Sequence, residues 1–192
     1  MARKLRNIAQ GNTHYCFSHC HGKRDLLKSR WCSRYMVQAI QKCQEKYNFE
    51  LIAAEPVGNQ INIIIRTLED QETVSRIMQY IKARIAEMYN RSTEQSGAFW
   101  NERFYSIVIE EQDNPEQYLL ELLWKIGYKP VLKGLSRDPR KNYIGFINSY
   151  LIKDYKALVD ITLHYYFTSL GYNFEECVEK FLLFEQACIR QL

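Results

Sequence analysis

Apolar positions along the chain follow two rhythms, one of strands and one of helices. From Thr13 to Cys20 (THYCFSHC), strand-forming side chains sit between Gly11 and Gly22, which predicts a first strand. Alternation puts His14, Cys16, Ser18 and Cys20 on one face, and Tyr15, Phe17, His19 and His21 on the other. Cys32, Met36, Ala39, Ile40, Cys43 and Tyr47 then recur at helical spacing, predicting a helix over Ser33 to Tyr47. Leu51 to Ala54 and Ile61 to Ile65 flank Val57-Gly58-Asn59, a turn sequence, and predict a β-hairpin. Val74, Ile77, Met78, Ile81, Ile85 and Met88 form one stripe on a helix from Thr73 to Asn90. Arg103 to Glu110 (RFYSIVIE) predicts a fourth strand. Asn114-Pro115-Glu116-Gln117 is a helix start, with a capping Asn, Pro at the first position and Gln at the capping-box position. Gly127 and Pro130 predict a stop near Ile126.

The order strand, helix, strand, strand, helix, strand predicts an α+β fold. It is the split βαβ pattern of a ferredoxin-like sandwich, an antiparallel sheet with helices on one face. Residues 1–132 form this domain; residues 133–192 read as a linker (Leu135 to Tyr143) and a small helical C-terminal extension rich in tyrosine. One feature breaks the apolar run of the hairpin. Gln60 and Asn62 share a face of its second strand with Ile64. Polar groups there need partners, either water, neighbouring backbone or something the fold brings to them.

Charge changes the picture more than composition does. The 192 residues are 46% hydrophobic and 25% charged, ordinary for a globular chain. The net charge is +4, but residues 1–34 hold eight basic groups against Asp25 alone. A second basic run spans Lys133 to Lys141. Such positive regions suit a polyanion. Cysteines and histidines in the first strand invite a metal reading, but alternation sends His19 and His21 away from Cys16 and Cys20, so no metal centre is expected there. The six cysteines are widely spaced and read as reduced thiols. MARKLRNIAQGN lacks the apolar core of a secretory signal and no stretch of about 18 apolar residues occurs. A cytoplasmic protein with no membrane span is expected.

Several short motifs, in order, carry a resemblance. They are MARKLRN with Gly11 and Tyr15, YNR at Tyr89 to Arg91 followed by Ser96-Gly97, FWNERF at Phe99 to Phe104, Lys129-Pro130-Val131, and LVDITLHYYFTSLGYNFEECVEKFLLF from Leu158. Together they resemble the single-tyrosine HUH transposases, especially the REP-associated tyrosine transposase branch. The resemblance implies the ferredoxin-like fold and a partner of single-stranded or hairpin DNA. It also implies strand cleavage by a tyrosine, with a divalent metal held by a His-x-His pair. Family members include intertwined homodimers and monomers.

The chain departs from that pattern at its chemistry. Pro-Asn-His-x-His lines up with Gly58-Asn59-Gln60-Ile61-Asn62, so neutral amides replace both histidines. The nucleophilic tyrosine aligns with Lys125. Tyr118 and Tyr128 are the nearest tyrosines. Tyr118 lies two turns, about 10 Å, from position 125, and Tyr128 lies past the expected helix stop. The expectation is an inactive, transposase-derived nucleic-acid-binding protein, with no cofactor. Phosphate contacts are expected from Arg3, Lys4, Arg6, Lys23, Arg24, Arg76, Lys82, Arg84, Arg103 and Lys125, and base stacking from Tyr15, Phe99 or Trp100. Two alternatives stay open: a divergent strand transferase using Tyr118 or Tyr128 with Mg or Mn at Gln60 and Asn62, and a protein-interaction module.

Overall fold

The computed structural model of the protein describes residues 10–189; Arg3, Lys4 and Arg6, and the side chain of Lys23, lie outside the described part. Four strands form one antiparallel sheet: β1 (Thr13–His19), β2 (Phe49–Val57), β3 (Gln60–Thr67) and β4 (Tyr105–Val108), in the order β2-β3-β1-β4. Helix α1 (Arg30–Lys46) joins β1 to β2, and α2 (Val74–Thr93) joins β3 to β4. This is the split βαβ order expected from the pattern.

Side chains of directly paired residues share a face, so the register fixes both faces of the sheet. Ser18 pairs with Ile61, Cys16 with Ile63 and His14 with Ile65, making one apolar face. Helices α1 and α2 pack together over that face. Cys43 of α1 reaches the Ile77 carbonyl of α2, and Lys82 of α2 reaches Ser18. The other face carries Tyr15 opposite Ile64, Phe17 opposite Asn62 and His19 opposite Gln60. The hairpin turns at Gly58, whose φ of 62° is the left-handed conformation glycine supplies. A register shift between Leu51 and Ala53 leaves Ile52 bulged.

The helices begin where their caps dictate. Ser29 accepts from the Trp31 N–H, so α1 starts three residues ahead of Ser33. Thr73 caps α2 and Asn114 caps α3 (Pro115–Leu132), each accepting a backbone N–H three residues on. Strand β4 is shorter than expected, because it pairs with β1 only over His14 to Phe17.

The largest departure from expectation is the end of α3. The helix runs through Gly127 and Pro130 to Leu132. Gly127 stays helical because it is packed against the Ile147 side chain, where a Cβ would stand 3.5 Å from its methyl. Pro130 forfeits only one helical hydrogen bond. The actual stop is Gly134, at φ 67°. The Gly134 N–H donates to the Val131 carbonyl and the Leu135 N–H to the Pro130 carbonyl, a Schellman motif. Helix α3 lies on the Gln60 face of the sheet, opposite α1 and α2.

The C-terminal extension holds α4 (Phe146–Leu151), α5 (Tyr165–Thr168) and α6 (Phe174–Ile189). It covers edge strand β2, which would otherwise offer unpaired backbone groups. The Thr162 N–H donates to the Leu51 carbonyl and the Tyr150 hydroxyl to the Ile52 carbonyl. His164 sits buried 2.9 Å from the Thr13 hydroxyl, and burial pushes its pKa down to about 4. Among the described residues, no helix is long and apolar enough to cross a membrane.

Candidate functional site

The two amides of β3 neither face water nor merely cap backbone. Asn62 is fully buried and Gln60 nearly so. The partner is Lys129, carried by the part of α3 that continues past Gly127. Its ammonium donates to Gln60 Oε1 at 2.6 Å and to Asn62 Oδ1 at 3.1 Å. The Tyr15 hydroxyl donates to the same Asn62 oxygen at 2.9 Å, and Asn62 Nδ2 reaches the Glu55 carbonyl at 3.4 Å. Burial, and then the neighbouring charge of Lys133, pull the Lys129 pKa down to about 8. Burial pushes the Tyr15 phenol up to about 12. His19, opposite Gln60 on the same face, is held below its usual pKa by burial first, then by Lys129, against the opposing pull of Glu102. Lys133 lies at the rim, near the hairpin turn at Gly58, where Asp25 also stands.

Lys129 thus forms a cation held by two neutral carbonyl oxygens, beside a phenol and an imidazole. An ammonium has three donors, and two are spent on the amides. A carboxyl lies on the same face: Glu55 pairs in register with Asn62. It is fully buried, burial holds its pKa well above the usual carboxyl value, and its Oε2 has no partner. A raised folded pKa means stability is fully present below about 4.5, the unfolded value, and is lost as pH rises through the folded one. Glu55→Gln should therefore raise Tm, by an amount that vanishes near pH 4 and grows toward pH 8. A Tm difference independent of pH would show that the carboxyl ionises freely.

The other sequence-derived candidates are scattered. Lys125 is not the lysine that meets the amides. It sits one turn earlier, about 6 Å along the axis. Its ammonium pairs with Glu121 at 2.8 Å, with the side chain 58% exposed. Tyr118 neighbours Tyr15, and burial raises its pKa. Tyr128 is inside the helix, not beyond it. It stacks on Trp124 and is directed to Glu185 of the extension. Arg76, Lys82 and Arg84 all lie on α2, across the sheet from Lys129. Arg76 pairs with Glu72 and Arg84 with Glu87. Lys82 is buried; it donates to Ser18 Oγ at 2.7 Å and to the Glu102 carbonyl at 2.6 Å and lies over the Trp100 ring, so it fastens α2 to the sheet. Arg24 and Arg103 are exposed. Phe99 is buried against Tyr89, and Trp100 donates its indole N–H to the Lys82 carbonyl. Lys129 was not anticipated as a site residue. Its signal was the i, i+4 run Lys125, Lys129, Lys133, visible only if the helix is carried past Gly127.

A family model described as IS200-like transposase matches residues 9–129 of the chain. Among solved structures, the chain is similar to one of a REP-associated tyrosine transposase bound to a REP hairpin. The two are 20% identical with a TM-score of 0.56, over 72% of this chain and 78% of that one. No curated protein matches.

Proposed function

The chain belongs to the IS200-like transposase family, and from that premise we propose that it binds single-stranded or hairpin DNA without cutting it. The observation that carries this reading is the Lys129 ammonium between the carbonyls of Gln60 and Asn62. The resemblance implies a divalent metal on this strand. The donor set does not fit one: two neutral amides are weaker ligands than carboxylates for magnesium and weaker than imidazole for softer ions. Their oxygens are also already accepting from an ammonium and a phenol. In this reading a fixed single charge stands in for the Lewis acid that the resemblance implies.

A single charge still suits binding. Lys129 keeps one donor for a phosphate oxygen, and Lys133 adds a second cation at the rim. Arg24 and Arg103 are also exposed cations. Neither Tyr118 nor Tyr128 is supported as a nucleophile. The phenol of Tyr118 is raised by burial, and Tyr128 is engaged toward Glu185. The bound hairpin of the similar solved protein makes the probe natural. A labelled DNA hairpin with a single-stranded flank should bind, with affinity falling steeply as salt rises. Absence of binding at low salt to any hairpin or single strand would end the proposal.

A further inference from the structure

Between Arg24 and Arg34 every charged side chain except Asp25 is basic. The segment is pinned from beneath. Leu27, in a single 3-10 turn over Leu26–Lys28, is buried, and that turn packs against β2. Ser29 caps α1, whose first turn buries Cys32 and Ser33. Lys28, Arg30, Trp31 and Arg34 are left on the outside, all exposed. Trp31 is 62% exposed, with the Arg34 guanidinium over its ring at 5.1 Å from the centroid. The other two tryptophans, Trp100 and Trp124, are half-buried and buried. Cations elsewhere on the helices are neutralised: Lys42 by Glu45, Arg76 by Glu72, Arg84 by Glu87 and Lys125 by Glu121. Among the described residues, Lys28, Arg30 and Arg34 enter no ion pair. Asp25 is at the hairpin turn instead. Its Oδ1 lies 3.1 Å from where a Cβ on Gly58 would stand, and the Lys133 ammonium 3.6 Å from the same point.

We infer that Trp31, flanked by Lys28, Arg30 and Arg34, is a second DNA contact, taking an unpaired nucleotide from the single strand beside a hairpin. The guanidinium covers one face of the indole, and a ring this exposed keeps the other for a base. Charge selects the occupant. A protein partner covers a contiguous apolar patch, whereas the exposed neighbours of Trp31 along the segment are cations and Ser29. A nucleotide joins a flat base to a phosphate, which matches a ring set among cations that have no carboxylate of their own. The position follows from Asp25 and Lys133, which meet the same turn. The basic segment thus begins at the rim of the Lys129 site. A strand held by Lys129 and Lys133 runs on past Gly58 toward the first turn of α1. A blunt duplex keeps its bases stacked inside and offers Trp31 nothing to stack on.

This inference rests on the DNA-binding reading, and the test separates the two. Affinities of the full chain are measured for a hairpin with a single-stranded flank and for the same hairpin with blunt ends. Trp31 is exposed, so its variants keep the core intact. Trp31→Ala should weaken binding of the flanked hairpin by about fivefold or more and leave the blunt hairpin unchanged. Trp31→Phe, which keeps a ring, should recover part of the loss. Arg34→Gln should weaken binding and make the salt slope shallower by about one contact. Tryptophan emission should be quenched by the flanked hairpin in the wild type and not in Trp31→Phe, because the stacked indole is the reporter. Wild-type affinity in Trp31→Ala, with quenching retained in Trp31→Phe, would overturn the contact and leave DNA binding intact. Equal losses on flanked and blunt hairpins would overturn it as a site for an unpaired base. A wild-type protein that binds neither probe would remove both readings.

Discussion

Lys129→Met should weaken binding of the flanked hairpin by about 10- to 100-fold. The estimate follows from one charge-assisted hydrogen bond of about 1.5–3 kcal/mol to a phosphate. The slope of log affinity against log salt should become shallower by about one contact. Because the Lys129 pKa is drawn down to about 8, its charge is present at pH 7 and lost as pH rises through 8. Wild-type affinity should therefore fall between pH 7 and 9, and Lys129→Met should not show that fall. The same substitution leaves two buried amide oxygens short of a donor, so some stability is lost too. Lys125→Met is the control that separates the readings. Lys125 is exposed and paired only with its helix neighbour Glu121, and its loss should change affinity several-fold less. Equal losses at the two positions would mean that general charge, not the held ammonium, drives binding.

Tyr150→Ala should cost about 3–5 kcal/mol, a large part of a typical domain's stability. Tyr150 is fully buried. Its ring meets Phe167 edge-on at 4.9 Å and lies near Phe181, and its hydroxyl donates to the bulged Ile52 of β2. The extension also takes hydrogen bonds from Gln41 and Gln44 of α1 and shares the buried His164–Thr13 contact with β1. These ties run to three elements of the sheet domain, so the extension should unfold with it. Thermal unfolding of Tyr150→Ala should show one transition, lowered by roughly 10 °C. A separate low-temperature transition, with the main one unmoved, would show that residues 133–192 fold independently of the sheet.

The sequence makes legible what depends on local pattern. The hairpin around Gly58, the cap at Asn114 and the faces of β1 and β3 follow from spacing and turn chemistry. What it hides depends on tertiary contact. Gly127 and Pro130 look like a helix end, but Ile147 packs against the glycine and the chain reverses only at Gly134. That one misplaced boundary conceals Lys129, the residue that explains Gln60 and Asn62. Charge on a helix is equally silent about direction. Lys82 has the pattern of a phosphate contact, yet it is buried between Ser18 and the Glu102 carbonyl. Aromatic residues are equally silent about their surroundings: Phe99 and Trp100 pack edge to face, while Phe17 and Tyr105 stack on each other across β1 and β4.

In the DNA-binding reading, the Lys129 ammonium stands where the resemblance implies a catalytic metal. A calorimetric titration of the protein with manganese measures this directly. No stoichiometric uptake is expected, in wild type or in Asn62→Ala. Uptake of one manganese per chain, abolished by Asn62→Ala, would contradict it.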